Sequence, residues 1–143
     1  MDTQPVRSSP PRIGSLASGY GGLDMAVTSV LDGHVVWHVE YDKAPSKILA
    51  HHWPDVPNYG DLTAVDWATV EPIDVLTAGY PCQPFSQAGK RRGTSDPRHI
   101  WPHIANAIRI LRPRLCVFEN VAGHLGLGFD AVLTDLAALG FDA

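Results

Sequence analysis

A cysteine set between two prolines has few uses as mere filler. Cys82 stands in the stretch Gly79-Tyr80-Pro81-Cys82-Gln83-Pro84-Phe85-Ser86. The apolar run before it, Asp74-Val75-Leu76-Thr77-Ala78, reads as a buried strand. Gly79, Pro81 and Pro84 then forbid regular structure, so the chain must leave the strand and turn. Cys82 is therefore expected at the carboxyl end of a strand, the edge where open α/β sheets bind ligands. A cysteine there acts as a nucleophile if its thiolate is stabilised. A lone cysteine is more often a small buried apolar group. The flanking prolines, the polar Gln83 and Ser86 and the basic Lys90, Arg91 and Arg92 argue against that for Cys82.

Three acidic residues occupy comparable places. Leu115-Cys116-Val117-Phe118-Glu119-Asn120-Val121 repeats the buried-strand pattern and ends on Glu119. Val35-Val36-Trp37-His38-Val39 does the same and ends on Glu40. Glu40 lies 18 positions beyond Gly22, close to the roughly 20 at which an acid meets a ribose in dinucleotide-type folds. A carboxylate suits that task because it accepts hydrogen bonds from two adjacent hydroxyls. A solvated strand end is the plainer reading of Glu40. Asp61 reads as a cap for a short helix over residues 64–70 or as a ligand-binding side chain. The adjacent His51 and His52 point different ways on a helix and have no carboxylate at ligand spacing, so they carry no metal reading.

The elements that must position these groups alternate. Residues 13–17 form a short strand, and Ser18-Gly19-Tyr20-Gly21-Gly22 is a glycine-rich turn. A helix over 23–31 follows, closed by Gly33. Such glycines let a backbone approach a ligand, and the helix start offers free N–H groups, although an ordinary tight turn has the same composition. Asp42 caps the next helix, over 44–52, with Pro45 in its first turn and Ile48 and Leu49 facing inward. Residues 83–99 form a long loop containing Lys90, Arg91, Arg92 and Arg98, either a solvated face or a segment that contacts phosphates. Ile100, Ile104, Ile108 and Leu111 mark an amphipathic helix over 99–111, stopped by Pro113. Val132, Leu133, Leu136 and Leu139 mark a last helix ended by Gly140, and Phe141 to Ala143 read as the first residues of a strand. The fold class is α/β, a Rossmann-like and mostly parallel sheet with crossover helices. Glu40, Asp61, Cys82, Glu119 and the glycine turn then all fall at carboxyl ends of strands and converge on one edge.

Composition bounds the rest. The 143 residues suffice for one domain with a core, and residues 1–12, rich in proline and serine, read as a disordered leader. A formal net charge of −4 gives no global attraction to nucleic acid, so any such contact must be local. Two cysteines without a Cys-x-x-Cys exclude a disulfide scaffold and suit a reducing cytosol. No apolar run approaches a membrane span or a signal peptide, which places the chain in the cytoplasm with no membrane partner.

Pro-Cys-Gln at Cys82 followed by Glu-Asn-Val at Glu119, each closing a strand and both preceded by the turn at Ser18, resembles the DNA (cytosine-5) methyltransferase family. Three ordered motifs make a specific signal where each alone would be weak. The resemblance runs from Ile13 to the last residue. It implies S-adenosylmethionine as cofactor, held by Ser18, Gly19, Gly21, Gly22, Leu23, Glu40, Tyr41, Asp61, Leu62 and Pro81, with Asp61 at the adenine amino group. It implies Cys82 as nucleophile toward carbon 6 of a cytosine flipped out of double-stranded DNA, and Glu119 as the acid near N3. Asn120 would help orient the loops, and Gln83, Ser86, Lys90, Arg91 and Arg92 would grip the DNA. Two departures stand out. Ala17 replaces a frequent aromatic, and the family's Gln-x-Arg-x-Arg-like segment, target-recognition region and final cofactor-side segment are not found. The chain is thus expected to be the amino-terminal catalytic part of a methyltransferase, incomplete at its carboxyl end, either truncated or dependent on a complementing chain, and without sequence-specific activity alone. A catalytically silent fragment that binds S-adenosylmethionine is the alternative. A nucleotide-dependent oxidoreductase would explain Glu40 but neither Pro-Cys-Gln nor Glu-Asn-Val.

Overall fold

The structure is a computed structural model that describes residues 9–79, 97–120 and 128–143. Strands and helices alternate: β1 (Arg12–Leu16), α1 (Gly22–Leu31), β2 (His34–Val39), α2 (Lys43–His52), β3 (Val75–Ala78), α3 (Pro97–Leu111), β4 (Leu115–Phe118) and α4 (Phe129–Ala138). The four strands form one sheet in the order β2-β1-β3-β4, and every pairing is parallel. All carboxyl ends therefore lie on one edge. Strand order reverses at β1, which has β2 on one side and β3 on the other, so a switch-point crevice is expected between the ends of β1 and β3.

Period-two alternation divides the sheet into two apolar faces. Leu16, Trp37, Leu76, Ile104, Ile108, Val132 and Leu136 belong to the larger cluster, where α3 and α4 pack. Ile13, Val27, Val35 and Val75 form the smaller cluster under α1. Gly14 is required by the first of these layers. A Cβ there would stand 2.3 Å from the Trp37 indole, which lies across the bare backbone and donates its N–H to Glu71 O at 2.9 Å. Ser15 and Thr77 share the second face with Ile13 and Val75, so two hydroxyls point toward α1 from otherwise apolar strands.

Several local expectations change. Arg12 is the first residue of β1, not of a disordered leader: its backbone N–H and guanidinium bind the Asp74 carboxylate at 2.9 and 3.2 Å. Helix α1 ends on a left-handed Asp32 (φ 52°), and Gly33 follows as the residue whose N–H closes onto Thr28 O. Asp42 takes the N-cap position of α2 without a side-chain capping bond. Ile48 is 38% exposed whereas Leu49 is 1% exposed, so only Leu49 serves the core. No helix forms over 64–70. Asp61 and Asp66 each bond the chain two residues on, at Thr63 N and Ala68 N, and these local turns win over helical propagation. Trp67 and Val70 still reach the core. Helix α3 begins two residues earlier than the periodicity suggests, at Pro97, where proline suits a first turn, and carries Pro102 inside it.

Phe141 is not the start of a strand. Its N–H bonds Leu136 O at 2.9 Å and that of Gly140 (φ 91°) bonds Ala137 O at 3.0 Å, a Schellman ending for α4. The Phe141 ring packs on the core beneath the Arg112 guanidinium, 5.6 Å from its centroid. Among the described residues no helix is long and apolar enough to cross a membrane.

Candidate active site at the carboxyl edge of the sheet

The chain leaves β1 through Ala17, whose φ of 47° starts the turn and whose N–H bonds Val39 O at 2.8 Å. Gly19 (φ 55°) and Gly21 (φ 83°) continue it in left-handed geometry, closed by Gly21 N donating to Ser18 O at 3.0 Å. The two glycine requirements differ. A Cβ at Gly21 would strike the Trp53 ring at 2.6 Å, whereas at Gly19 or Gly22 it would meet nothing within 4 Å. Gly21 also caps α1 without a side chain, so the first N–H groups of the helix have no side-chain acceptor there. The turn thus offers open space beside bare backbone donors, the surroundings that polar atoms of a nucleoside-containing cofactor need. Leu23, half-buried, packs on the cluster under α1.

Glu40 follows the end of β2 beside this turn. Its pKa is raised to about 7, first by burial and then by the charge of Asp42, against hydrogen bonds from the backbone N–H groups of Tyr41 and Gly19. The bond from Gly19 brings the two expected cofactor groups together. Asn58, absent from the sequence reading, fixes Glu40 by its backbone: Asn58 Oδ1 accepts from Glu40 N at 2.9 Å and Nδ2 donates to Glu40 O at 3.1 Å. Tyr41 is 76% exposed and free to cover a flat group. The segment bearing Asp61 is tied to β2 by His38 N to Pro57 O and Tyr59 N to His38 O, both 2.9 Å. Asp61 Oδ1 accepts from Thr63 Oγ1 at 2.7 Å and from Thr63 N at 2.9 Å, and these bonds hold its pKa below the ordinary carboxylate value. Leu62 beside it is half-buried against the larger core cluster.

Beneath the turn lies a polar cluster that sequence reasoning missed. Asp24, in the first turn of α1, is 1% exposed. Its Oδ1 accepts from Thr77 Oγ1 at 2.6 Å and its Oδ2 from Ser15 Oγ at 2.8 Å. Ser15 Oγ and Ser18 Oγ are 2.7 Å apart, and Ser18 Oγ is 3.3 Å from His38 Nδ1. The Ser18 hydroxyl, expected at the cofactor, is thus turned inward. Burial pushes the His38 pKa down against the attraction of Asp24, which favours a neutral ring. A signal existed. Ser15, His38 and Thr77 interrupt apolar strands, and polar side chains buried in such strands must find partners.

On the other flank, Glu119 N donates to Ala78 O at 3.0 Å just beyond β4. A Cβ on Gly79 would stand 3.6 Å from both Glu119 Oε2 and Ala17 O. The ends of β1, β3 and β4 therefore meet at Gly79, and Glu119 is exposed there. Pro81, Cys82, Gln83, Ser86, Lys90, Arg91 and Arg92 lie outside the described residues. Cys116 is a different thiol: it sits inside β4, and burial pushes its pKa up to about 11. His51 and His52 are exposed, and no group of side chains among the described residues is arranged to hold a metal ion.

The family model of C-5 cytosine-specific DNA methylases matches residues 12–142. The chain belongs to this family. Among its methylase relatives, the type II methyltransferase M.HpaII of Haemophilus parainfluenzae is 37% identical over 111 residues, which cover 76% of this chain and 30% of that protein. M.HgiBI of Herpetosiphon aurantiacus is 36% identical over 112 residues, 76% of this chain and 25% of that one. The DNA N-6-adenine-methyltransferase of Escherichia phage P1 is 39% identical over 140 residues, 88% of this chain and 18% of that one. The chain thus spans between 18% and 30% of the length of these relatives. Two DNMT2 structures share the fold with a TM-score of 0.70. A Spodoptera frugiperda variant is 24% identical and the S. pombe enzyme 17%, matched over 89% and 90% of this chain and 40% of each of theirs.

Proposed function

We propose that this chain carries the cofactor site and catalytic side chains of a DNA (cytosine-5) methyltransferase. The observation that carries the reading is the meeting of strand ends at Gly79, three residues before Cys82, with the Glu119 carboxylate on one side and the open glycine turn on the other. The donor set suits S-adenosylmethionine, which supplies an electrophilic sulfonium methyl when bound. Glu40 would accept hydrogen bonds from the ribose hydroxyls, Asp61 would accept one from the adenine amino group, and Gly19 and Gly22 would let backbone approach. Leu23, Tyr41, Leu62 and Pro81 would line the site.

Carbon 5 of cytosine is a poor nucleophile, and the base must leave the duplex to be reached. Addition of the Cys82 thiolate at carbon 6 would move an electron pair toward carbon 5, which would take the methyl group as the bond to the sulfonium sulfur breaks and that sulfur keeps the pair as a neutral thioether. Glu119 would meet the charge that develops on the ring by donating a proton near N3. Loss of the carbon 5 proton to solvent would then return the electron pair that expels the Cys82 thiolate, and the proton near N3 would go back to Glu119. Gln83, Ser86, Lys90, Arg91 and Arg92 would hold the flanking strand, the last three as phosphate contacts.

Trapping on duplex DNA carrying 5-fluorocytosine tests this, because fluorine at carbon 5 blocks the final elimination. A covalent protein–DNA adduct that forms with S-adenosylmethionine and disappears in Cys82→Ser is the expected result. Trapping undiminished in the variant removes Cys82 from the mechanism. Because the chain covers only 18% to 30% of the relatives described above, the assay includes any chain that completes the enzyme. Binding of S-adenosylmethionine without adduct under all conditions favours the silent fragment. The resemblance to the phage P1 adenine methyltransferase gives the same experiment a second use. An exocyclic amine attacks with its own lone pair and needs no cysteine, so methylated adenine without an adduct would select that chemistry.

A further inference from the structure

We infer that Asp24 is a positioning residue that holds the cofactor turn and the strand leading to Cys82 in a fixed relation. The inference rests on the proposed cofactor site and concerns residues that touch neither cofactor nor base.

The network is continuous. Thr77 Oγ1 donates to Asp24 Oδ1 and Ser15 Oγ to Asp24 Oδ2. The Ser15 and Ser18 hydroxyls are 2.7 Å apart, Ser18 Oγ also donates to Ser15 O at 3.3 Å, and His38 Nδ1 lies 3.3 Å from Ser18 Oγ. Both His38 contacts, to Ser18 at 3.3 Å and to Asp24 at 3.6 Å, are made by the same nitrogen. That geometry is not a nucleophilic triad, where the two ring nitrogens serve opposite neighbours. It is a run of polar contacts that ends on one carboxylate.

The carboxylate costs free energy to hold. It is buried, and the Ser15 and Thr77 hydroxyls satisfy its oxygens in place of a cation. What it gains is connection. Thr77 lies two residues before Gly79 and five before Cys82. Ser15 and Ser18 flank the start of the glycine turn, and His38 lies two residues before Glu40. Asp24 thereby ties α1, β1, β2 and β3 together one layer below the groups assigned to chemistry. A shift of β3 against β1 would break the bond to Thr77 or drag the turn with it.

The test is calorimetry of S-adenosylmethionine binding at a temperature where thermal melts show each variant fully folded. Destabilisation alone then leaves the affinity unmoved. Thr77→Val keeps the side-chain shape and removes a donor that is remote from the ligand. It is expected to weaken binding about fivefold, the order associated with losing one buried hydrogen bond, and Thr77→Ser to restore it. Asp24→Asn is expected to weaken binding at least as much. Should Asp24→Asn fail to fold, Thr77→Val decides alone. Affinity within about twofold of the unaltered chain in folded Thr77→Val overturns the inference, on the same scale. Glu40→Ala separates the two levels. Binding that is sensitive to Glu40→Ala but indifferent to Thr77→Val overturns the role of Asp24 only. No binding by the unaltered chain overturns the cofactor site and this inference with it.

Discussion

One thiol and one carboxylate show how surroundings set residue chemistry in this chain. Cys116 is held inside β4 with a pKa of about 11, so at pH 8 only about one molecule in a thousand carries its thiolate. Iodoacetamide at pH 8 should therefore modify Cys82 well ahead of Cys116 in the folded chain, with equal modification after denaturation, as followed by peptide mass spectrometry. Faster labelling of Cys116 would contradict its burial. Glu40 makes a pH prediction with two opposite signs. Its folded pKa of about 7 lies above the ordinary 4.5, so the folded state holds a proton that the unfolded chain releases between these values. The contribution of Glu40 to stability is full below 4.5 and is lost as pH rises through about 7. Ribose hydroxyls, by contrast, bind the carboxylate better than the neutral acid. S-adenosylmethionine affinity should therefore rise from pH 6 to 8 while the unliganded melting temperature falls, and Glu40→Gln should flatten both profiles. Calorimetry and thermal melts across that range check it. The place of Glu40 was legible from its spacing to the glycine turn. That of Asn58, which clamps its backbone, was not, because the parallel bridge between His38 and Asn58 joins segments that share no local pattern.

Elements repeat the lesson with backbone. The glycine turn contains two kinds of glycine, and substitution should separate them. At Gly21 a side chain meets both a left-handed φ and the Trp53 ring, so Gly21→Ala should lower stability by roughly 1–3 kcal/mol, measured by urea denaturation. At Gly22 the space is open and the backbone helical, so Gly22→Ala should leave stability equal or raise it by about 0.4–1 kcal/mol. The same variant should weaken S-adenosylmethionine binding, since its methyl group enters the space reserved for close approach. Loss of stability without loss of affinity in Gly22→Ala would mean that the cofactor lies elsewhere. The order of strands and helices was readable because long apolar runs and their breakers are local signals. Less was readable where tertiary contacts outweigh local preference. Residues 64–70 have a helical composition but are held in turns by Asp61 and Asp66. Phe141, whose composition suits a strand, is spent on ending α4. The Asp24 cluster needed the register of three strands, which pattern alone does not supply.

At the scale of the sheet, parallel pairing gathers the candidate site groups on one edge and leaves the opposite edge to hold the strands together. At that opposite edge Asp74 binds Arg12 through its side chain, and its carbonyl accepts from Arg114 N and Leu115 N at 2.8 and 3.3 Å. The starts of β1, β3 and β4 are thereby fixed away from the site. Arg12 and Asp74 are more than a third exposed, so Arg12→Ala should shift the urea denaturation midpoint only slightly. The strand order also governs the time course of assembly. Ile13 meets Val35 across β1 and β2, from position 13 to 35, a separation of 22 residues, but meets Val75, from 13 to 75, only after 62. Closing the longer loop costs about 0.9 kcal/mol more in chain entropy. The β1-α1-β2 unit should therefore dock first and β3 arrive on a platform already made. In stopped-flow refolding, Val35→Ala should slow folding, whereas Leu76→Ala should chiefly speed unfolding. On a ribosome the same order means that the glycine turn exists before the strand that leads to Cys82 has been synthesised. Cys82, the proposed nucleophile, would join a turn already shaped to receive its co-substrate, and Glu119 would follow it.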